Sequence, residues 1–126
     1  MGGEVSSDEA FQIEYRTFIG AIETLSQPPE MQCKSMGNIN VAWELKDDLA
    51  AGSFLLENPS SILSESHKIE IEKIIRGLNK LPKEILKAAN TFEANFEAMS
   101  HPAWEPLREM AAKLLNKLNI NTGNNG

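Results

Sequence analysis

The chain has 126 residues, of which 41% are hydrophobic, and a formal net charge of −6. That length supports one compact core and is short for several, so a single domain over residues 1–126 is expected, with loose ends at about 1–6 and 120–126. No run of about 18 apolar residues is present to span a membrane, and no basic-then-apolar leader opens the sequence, which makes the cytoplasm the expected compartment.

The charge is one-sided along the chain. Residues 1–57 carry ten acids against three bases, a balance of −7, whereas residues 58–126 carry eight acids against nine bases, a balance of +1. An acidic surface steers basic partners and repels nucleic acid and anionic membrane. The same charge also serves solubility, so a docking surface and a merely solvated one both remain open. Cys33 is the sole cysteine, which excludes an internal disulfide and a cysteine-based metal cluster, and reads as an inert core thiol.

The leader MGGEVSS is followed by polar spacing from Ser6 to Glu9 that suits a capping box. A first helix is predicted over 7–25, with Phe11, Tyr15, Phe18, Ile19, Ile22 and Leu25 on its apolar face. Gln27-Pro28-Pro29 ends it, because prolines cannot donate the next helical hydrogen bonds. A second helix is expected over 30–51, with Gly37 a residue that loosens a helix and does not alone establish a break. Met36, Ile39, Ala42, Trp43, Leu45 and Leu49 form its apolar side, and Glu44, Asp47 and Asp48 lie at related offsets on the polar side. The stretch GNINVAWELKDDLAAG therefore sets an aromatic residue beside three acids. Trp43 suits both a partly buried structural role and a partner anchor, and the two coexist.

Residues 52–61 read as a loop with Phe54-Leu55-Leu56 folded inward. A third helix is predicted over 64–78, where Ile71, Ile74, Ile75 and Leu78 share a side. Pro82 is expected to open a fourth, with Ile85, Ala88, Ala89, Phe92, Phe96 and Met99 as a core stripe. Pro102 and Pro106 disfavour one uninterrupted helix, so a short turn over 101–105 and a terminal helix from Pro106 are expected. Trp104 should fold against the core beside it. Leu107, Met110, Ala111, Leu114, Leu115 and Leu118 supply the terminal helix's buried face, and NINTGNNG should fray. The whole reads as an all-α, compact four- or five-helix bundle-like domain.

Catalytic chemistry finds little support. His67 and His101 are few and far apart, and local hydrogen bonding is the expected role of each. A Cys33–histidine pair is chemically sensible, yet no spacing identifies it. No metal-binding motif or glycine-rich phosphate loop occurs, so neither a metal nor a cofactor is expected. Lys68, Lys73, Arg76, Lys80, Lys83 and Lys87 are interspersed with Glu65, Glu70, Glu72 and Glu84, which predicts ion-paired helical faces in place of a phosphate-binding surface.

In CKSMGNINVAWELKDDLAAG and MSHPAWEPLREMAAKLL the chain resembles small helical immunity proteins of bacterial contact-dependent growth inhibition systems, a similarity spanning most of residues 10–118 and including the intervening LP turn. The resemblance implies a non-enzymatic, stoichiometric inhibitor. Its implied partner is the toxic C-terminal domain of a cognate delivered effector, bound in the cytoplasm. Binding surfaces in that family vary with the toxin, so the resemblance implies no particular inhibitory residues. The expected toxin-binding group, drawn from the residues themselves, is Trp43, Glu44, Asp47 and Asp48, facing a basic cleft such as that of a nuclease. A helical regulatory or structural adaptor is the alternative, and co-purification with one toxin or with an endogenous machine separates the two.

Overall fold

The first helix, α1 (Ser7–Leu25), occupies the predicted span and stops where Pro28 and Pro29 remove backbone donors. The computed structural model describes residues 7–37, 39–58, 63–88 and 90–118. Ser6 of the expected capping box, both expected loose ends and Ala89 lie outside those residues. α1 is followed by α2 (Pro29–Met36), α3 (Val41–Leu49), α4 (Ala51–Glu57), α5 (Glu65–Leu78), α6 (Phe92–Met99) and α7 (Glu105–Lys117). Two 3-10 turns, Lys83–Lys87 and Pro102–Trp104, precede α6 and α7. The domain is all-α, and no strand occurs among the described residues.

Seven α-helices stand among the described residues where four or five were expected, and the extra ones have local causes. Gly37 takes φ of 81°, in the left-handed region that glycine enters without steric cost, and this separates α2 from α3. The expected 30–51 helix is therefore two. Of the expected 52–61 loop, the residues as far as Glu57 are helical, with Gly52 as a packing glycine, and 59–61 lie outside the described residues. A Cβ built at Gly52 would lie 2.8 Å from the Phe18 ring and 3.1 Å from Ile71 and Ile75, so α4 reaches α1 and α5 only without a side chain. Leu55 of α4 is buried as the inward patch required. The expected helix from Pro82 is also divided. Pro82 opens only a 3-10 turn, the backbone at Ala88 is extended, and Thr91 restarts the helix by accepting from the Ala94 N–H at 3.2 Å.

Four helices close a ring, with α1 against α4, α4 against α5, α5 against α7 and α7 against α1. This ring includes α4, which the sequence pattern assigned to a loop, and leaves out α2, α3 and α6, which that pattern placed in its second and fourth helices. Phe18, Ile22, Leu25, Leu55, Ile71, Ile74, Leu107 and Leu114 fill it. The remaining helices form a flank: α3 and α2 lean on α1, and α6 packs against both α2 and α3. Gln32, wholly buried on α2, donates from Nε2 to the Leu25 carbonyl at 2.9 Å and ties the flank to the end of α1.

The face of α5 carries the ion pairs that its charge pattern predicted. Lys68–Glu65 stand 3.7 Å apart and Arg76–Glu72 stand 3.2 Å apart. Glu70 is buried and gathers Lys73 at 3.7 Å, Lys117 at 3.2 Å and Lys113 at 3.8 Å, which joins α5 to α7. Burial works most strongly against its ionisation. The Lys117 hydrogen bond and the charges of Lys113, Lys117 and Lys73 together outweigh it and hold the carboxyl below its ordinary value. Ser64 caps α5 and His67 completes the capping box, its Nδ1 accepting from the Ser64 N–H at 3.1 Å. That bond assigns the proton of a neutral His67 to Nε2, which meets the Lys117 carbonyl at 3.2 Å. Among the described residues no helix is long and apolar enough to cross a membrane.

Trp104 lies where the sequence placed it. Its ring has no solvent exposure, and its Nε1 donates to the Ala98 carbonyl at 3.1 Å. Pro106 follows in the first turn of α7, where its missing N–H is tolerated. Replacing Trp104 with alanine removes the largest core side chain and the indole hydrogen bond to the Ala98 carbonyl, which still accepts from the His101 N–H at 3.3 Å. Trp104→Ala is expected to lower unfolding free energy by roughly 3–5 kcal/mol in urea denaturation, and an unchanged midpoint would contradict the assignment.

Candidate functional site

The entry to α3 is built from two asparagines. Asn40 caps the helix, its Oδ1 accepting from the Trp43 N–H at 3.1 Å, while its Nδ2 donates to the Leu86 carbonyl at 2.8 Å. Asn95 of α6 is wholly buried. Its Oδ1 accepts from the Val41 N–H at 3.0 Å and its Nδ2 donates to the Ile39 carbonyl at 2.6 Å. One side chain thus satisfies a free amide at the helix start and a loop carbonyl together.

This fixation turns Val41, Ala42, Leu45 and Leu49 into the core. Trp43 is turned out, 49% exposed, and Ile39 is exposed with it, so neither belongs to the buried apolar side that periodicity assigned them. Asp47, one helical turn from Trp43, shares a groove of about 140 Å³ with Trp43, Lys46, Ala50 and Leu86. Glu44 and Asp48 form the next row around the helix, half-buried and outside that groove. The structure therefore brings Trp43 and Asp47 together and sets Glu44 and Asp48 beside them. Lys46 and Leu86 were missing from the expected group. Leu86 comes from the 3-10 turn that Asn40 holds in place, a link between residues 46 positions apart that no local pattern encodes.

The electrostatics of this face differ from those of α5. α3 carries three acids and one base, and among the described residues none of Glu44, Asp47 and Asp48 enters an ion pair. Burial pushes the Asp48 carboxyl above its ordinary value, and the charge of Asp47 pushes it further the same way. A neighbouring cation would therefore stabilise the charged form of Asp48. A groove of this size suits one protruding side chain of a macromolecule better than a small-molecule substrate, whose pockets run to about 300–1,000 Å³.

The other chemically capable residues serve the fold. Cys33 is buried, and burial pushes its thiol up, away from the reactive thiolate. His101 caps the second 3-10 turn, its Nδ1 accepting from the Ala103 N–H at 3.0 Å. Among the described residues no three His, Cys, Asp or Glu side chains gather as a metal site. A second exposed surface, on α6, went unrecognised in the sequence. Phe92 and Phe96, assigned there to a core stripe, are 45% and 41% exposed. The reason is Asn95, whose two backbone bonds draw it inward and rotate the phenylalanines out.

The chain matches no family model, no curated protein and no solved structure.

Two measurements follow from this geometry. Asn95→Ala removes the partner of the buried Val41 amide, at about 1–3 kcal/mol, along with the part-buried bond to the Ile39 carbonyl, and denaturation should show that loss; a change within about 0.5 kcal/mol would contradict the role. Asp48→Asn should raise stability at pH 7. The folded-state carboxyl titrates above its unfolded value, so ionising it opposes folding at higher pH, and that penalty vanishes as pH falls below the unfolded value. The advantage of the variant should therefore shrink in acid, and thermal melts across pH read it directly.

Proposed function

We propose that this protein is a stoichiometric inhibitor that binds the toxic C-terminal domain of a cognate delivered effector in the cytoplasm, with the Trp43 face of α3 as its contact surface. One observation carries the reading: Glu65, Glu70 and Glu72 of α5 are paired within the molecule, whereas Glu44, Asp47 and Asp48 of α3 are not. Unpaired acids beside a half-exposed tryptophan offer a basic partner both charge complementarity and an aromatic anchor. The resemblance of residues 33–52 and 99–115 to immunity proteins supplies the class of partner.

Inhibition by this face needs no chemistry. A toxin that acts on nucleic acid presents a basic substrate path, and a rigid acidic helix laid across it competes for the same cations. Long-range attraction speeds the encounter, while Trp43 buried at the contact slows dissociation. Partner cations next to Asp48 also offset the effects of burial and repulsion that raise its carboxyl.

The test is charge reversal of Asp47 and Asp48 to lysine, measured against the toxic domain of an effector that the wild-type protein neutralises. Binding should weaken at least roughly tenfold, its salt dependence should flatten, and protection of growth should fail, in a variant that still melts cooperatively. Unchanged affinity and salt dependence with an intact fold would remove α3 as the contact surface.

A further inference from the structure

α6 inverts the usual preference of a helix: it buries an asparagine and exposes two phenylalanines. The Phe92 and Phe96 rings lie nearly parallel, 7° apart in plane with centroids 6.1 Å apart. With Glu93, Glu97, Ser100 and His101 they line a groove of about 450 Å³. α6 carries no base, and among the described residues neither Glu93 nor Glu97 enters an ion pair. The groove shares no lining residue with the one beside Trp43.

We infer that this groove docks a basic amphipathic segment of a protein partner, with an apolar side chain seated on the Phe92–Phe96 pair and arginines on Glu93 and Glu97. The two rows run side by side along one helix, each with its members a turn apart, so an incoming helix with apolar and cationic residues at the same spacing matches both at once. Arginine fits best because its guanidinium pairs with carboxylate and also lies over aromatic faces. A second copy of this chain is the poorer occupant. A two-fold contact sets the same patch against itself, so Glu93 and Glu97 would face their own counterparts. Anionic lipid and nucleic acid meet the same repulsion. The inference goes beyond the inhibitor reading and stands without it, since the α3 face takes no part.

The probe is a labelled amphipathic peptide of leucine, alanine and arginine, compared with the same peptide carrying glutamate for arginine, each titrated into the full chain. The arginine peptide should bind and shift amide resonances at residues 92–101, and the glutamate peptide should not. Phe96→Ser and the double change Glu93→Gln with Glu97→Gln should each weaken binding roughly tenfold or more while melting as wild type, and Trp43→Ala should leave it unchanged. Failure of the arginine peptide to bind, equal binding of both peptides, shifts centred elsewhere, or variants that bind as wild type would overturn the proposal. So would a concentration-dependent dimer abolished by Phe96→Ser, which would assign the face to a second copy. None of these results bears on the Asp47 and Asp48 reversal, so the two proposals fail independently.

Discussion

The flank of this molecule depends on one buried amide. Asn95 has no solvent exposure and cannot be left unpaired there, so its two bonds, to the Val41 N–H and the Ile39 carbonyl, fix the rotation of α6 and the start of α3 together. Asn40 extends the same clamp to the Leu86 carbonyl. Once these are made, the rest of the surface follows: Asn95, Ala98 and Met99 face inward, Phe92 and Phe96 are left outside, and Trp43 stands half-exposed next to Leu86. A leucine at position 95 would satisfy the apolar pattern and lose the register. Polar burial here selects one arrangement among several that hydrophobicity alone would permit.

Charge is organised by face, and only loosely by chain half. The balance of −7 over residues 1–57 suggested an acidic N-terminal half. In three dimensions the useful distinction is between acids whose charge is answered within the fold and acids whose charge is not. Glu70 is the extreme of the first kind, buried yet ionised because three lysines surround it. Asp48 is of the second kind, partly buried and beside another acid, with its carboxyl pushed up. Glu93 and Glu97 are of the second kind too, although they belong to the nearly neutral half of the chain. A basic partner gains most where the fold has left carboxylates without counter-ions, and that criterion selects α3 and α6 over α5.

Much of the bundle was legible in sequence because its signals are local. The periodicity from Phe11 to Leu25 marks α1, Ser64 begins α5, and Pro106 opens α7 with Trp104 packed beneath it. The misreadings share a different origin. Gly52 resembles a helix breaker until Phe18 and Ile71, distant in sequence, are seen to need its missing side chain. Phe92 and Phe96 complete an apolar stripe until Asn95 finds partners 54 and 56 residues away. Trp43, Glu44, Asp47 and Asp48 were correctly placed on one helix, yet periodicity could not separate the groove pair, Trp43 and Asp47, from the row behind it. Lys46 completes the groove from the same segment.

The two tryptophans give the most direct test of where the partner sits, since Trp43 is 49% exposed and Trp104 is not exposed at all. Fluorine-labelled tryptophan in this chain yields one resonance for each, free of interference from tryptophans in an unlabelled partner. On saturation with an effector toxic domain of the kind proposed as its partner, the Trp43 signal should shift and lose its sensitivity to solvent while the Trp104 signal stays in place. A saturated complex in which the Trp43 signal keeps both its position and its solvent sensitivity would contradict the account.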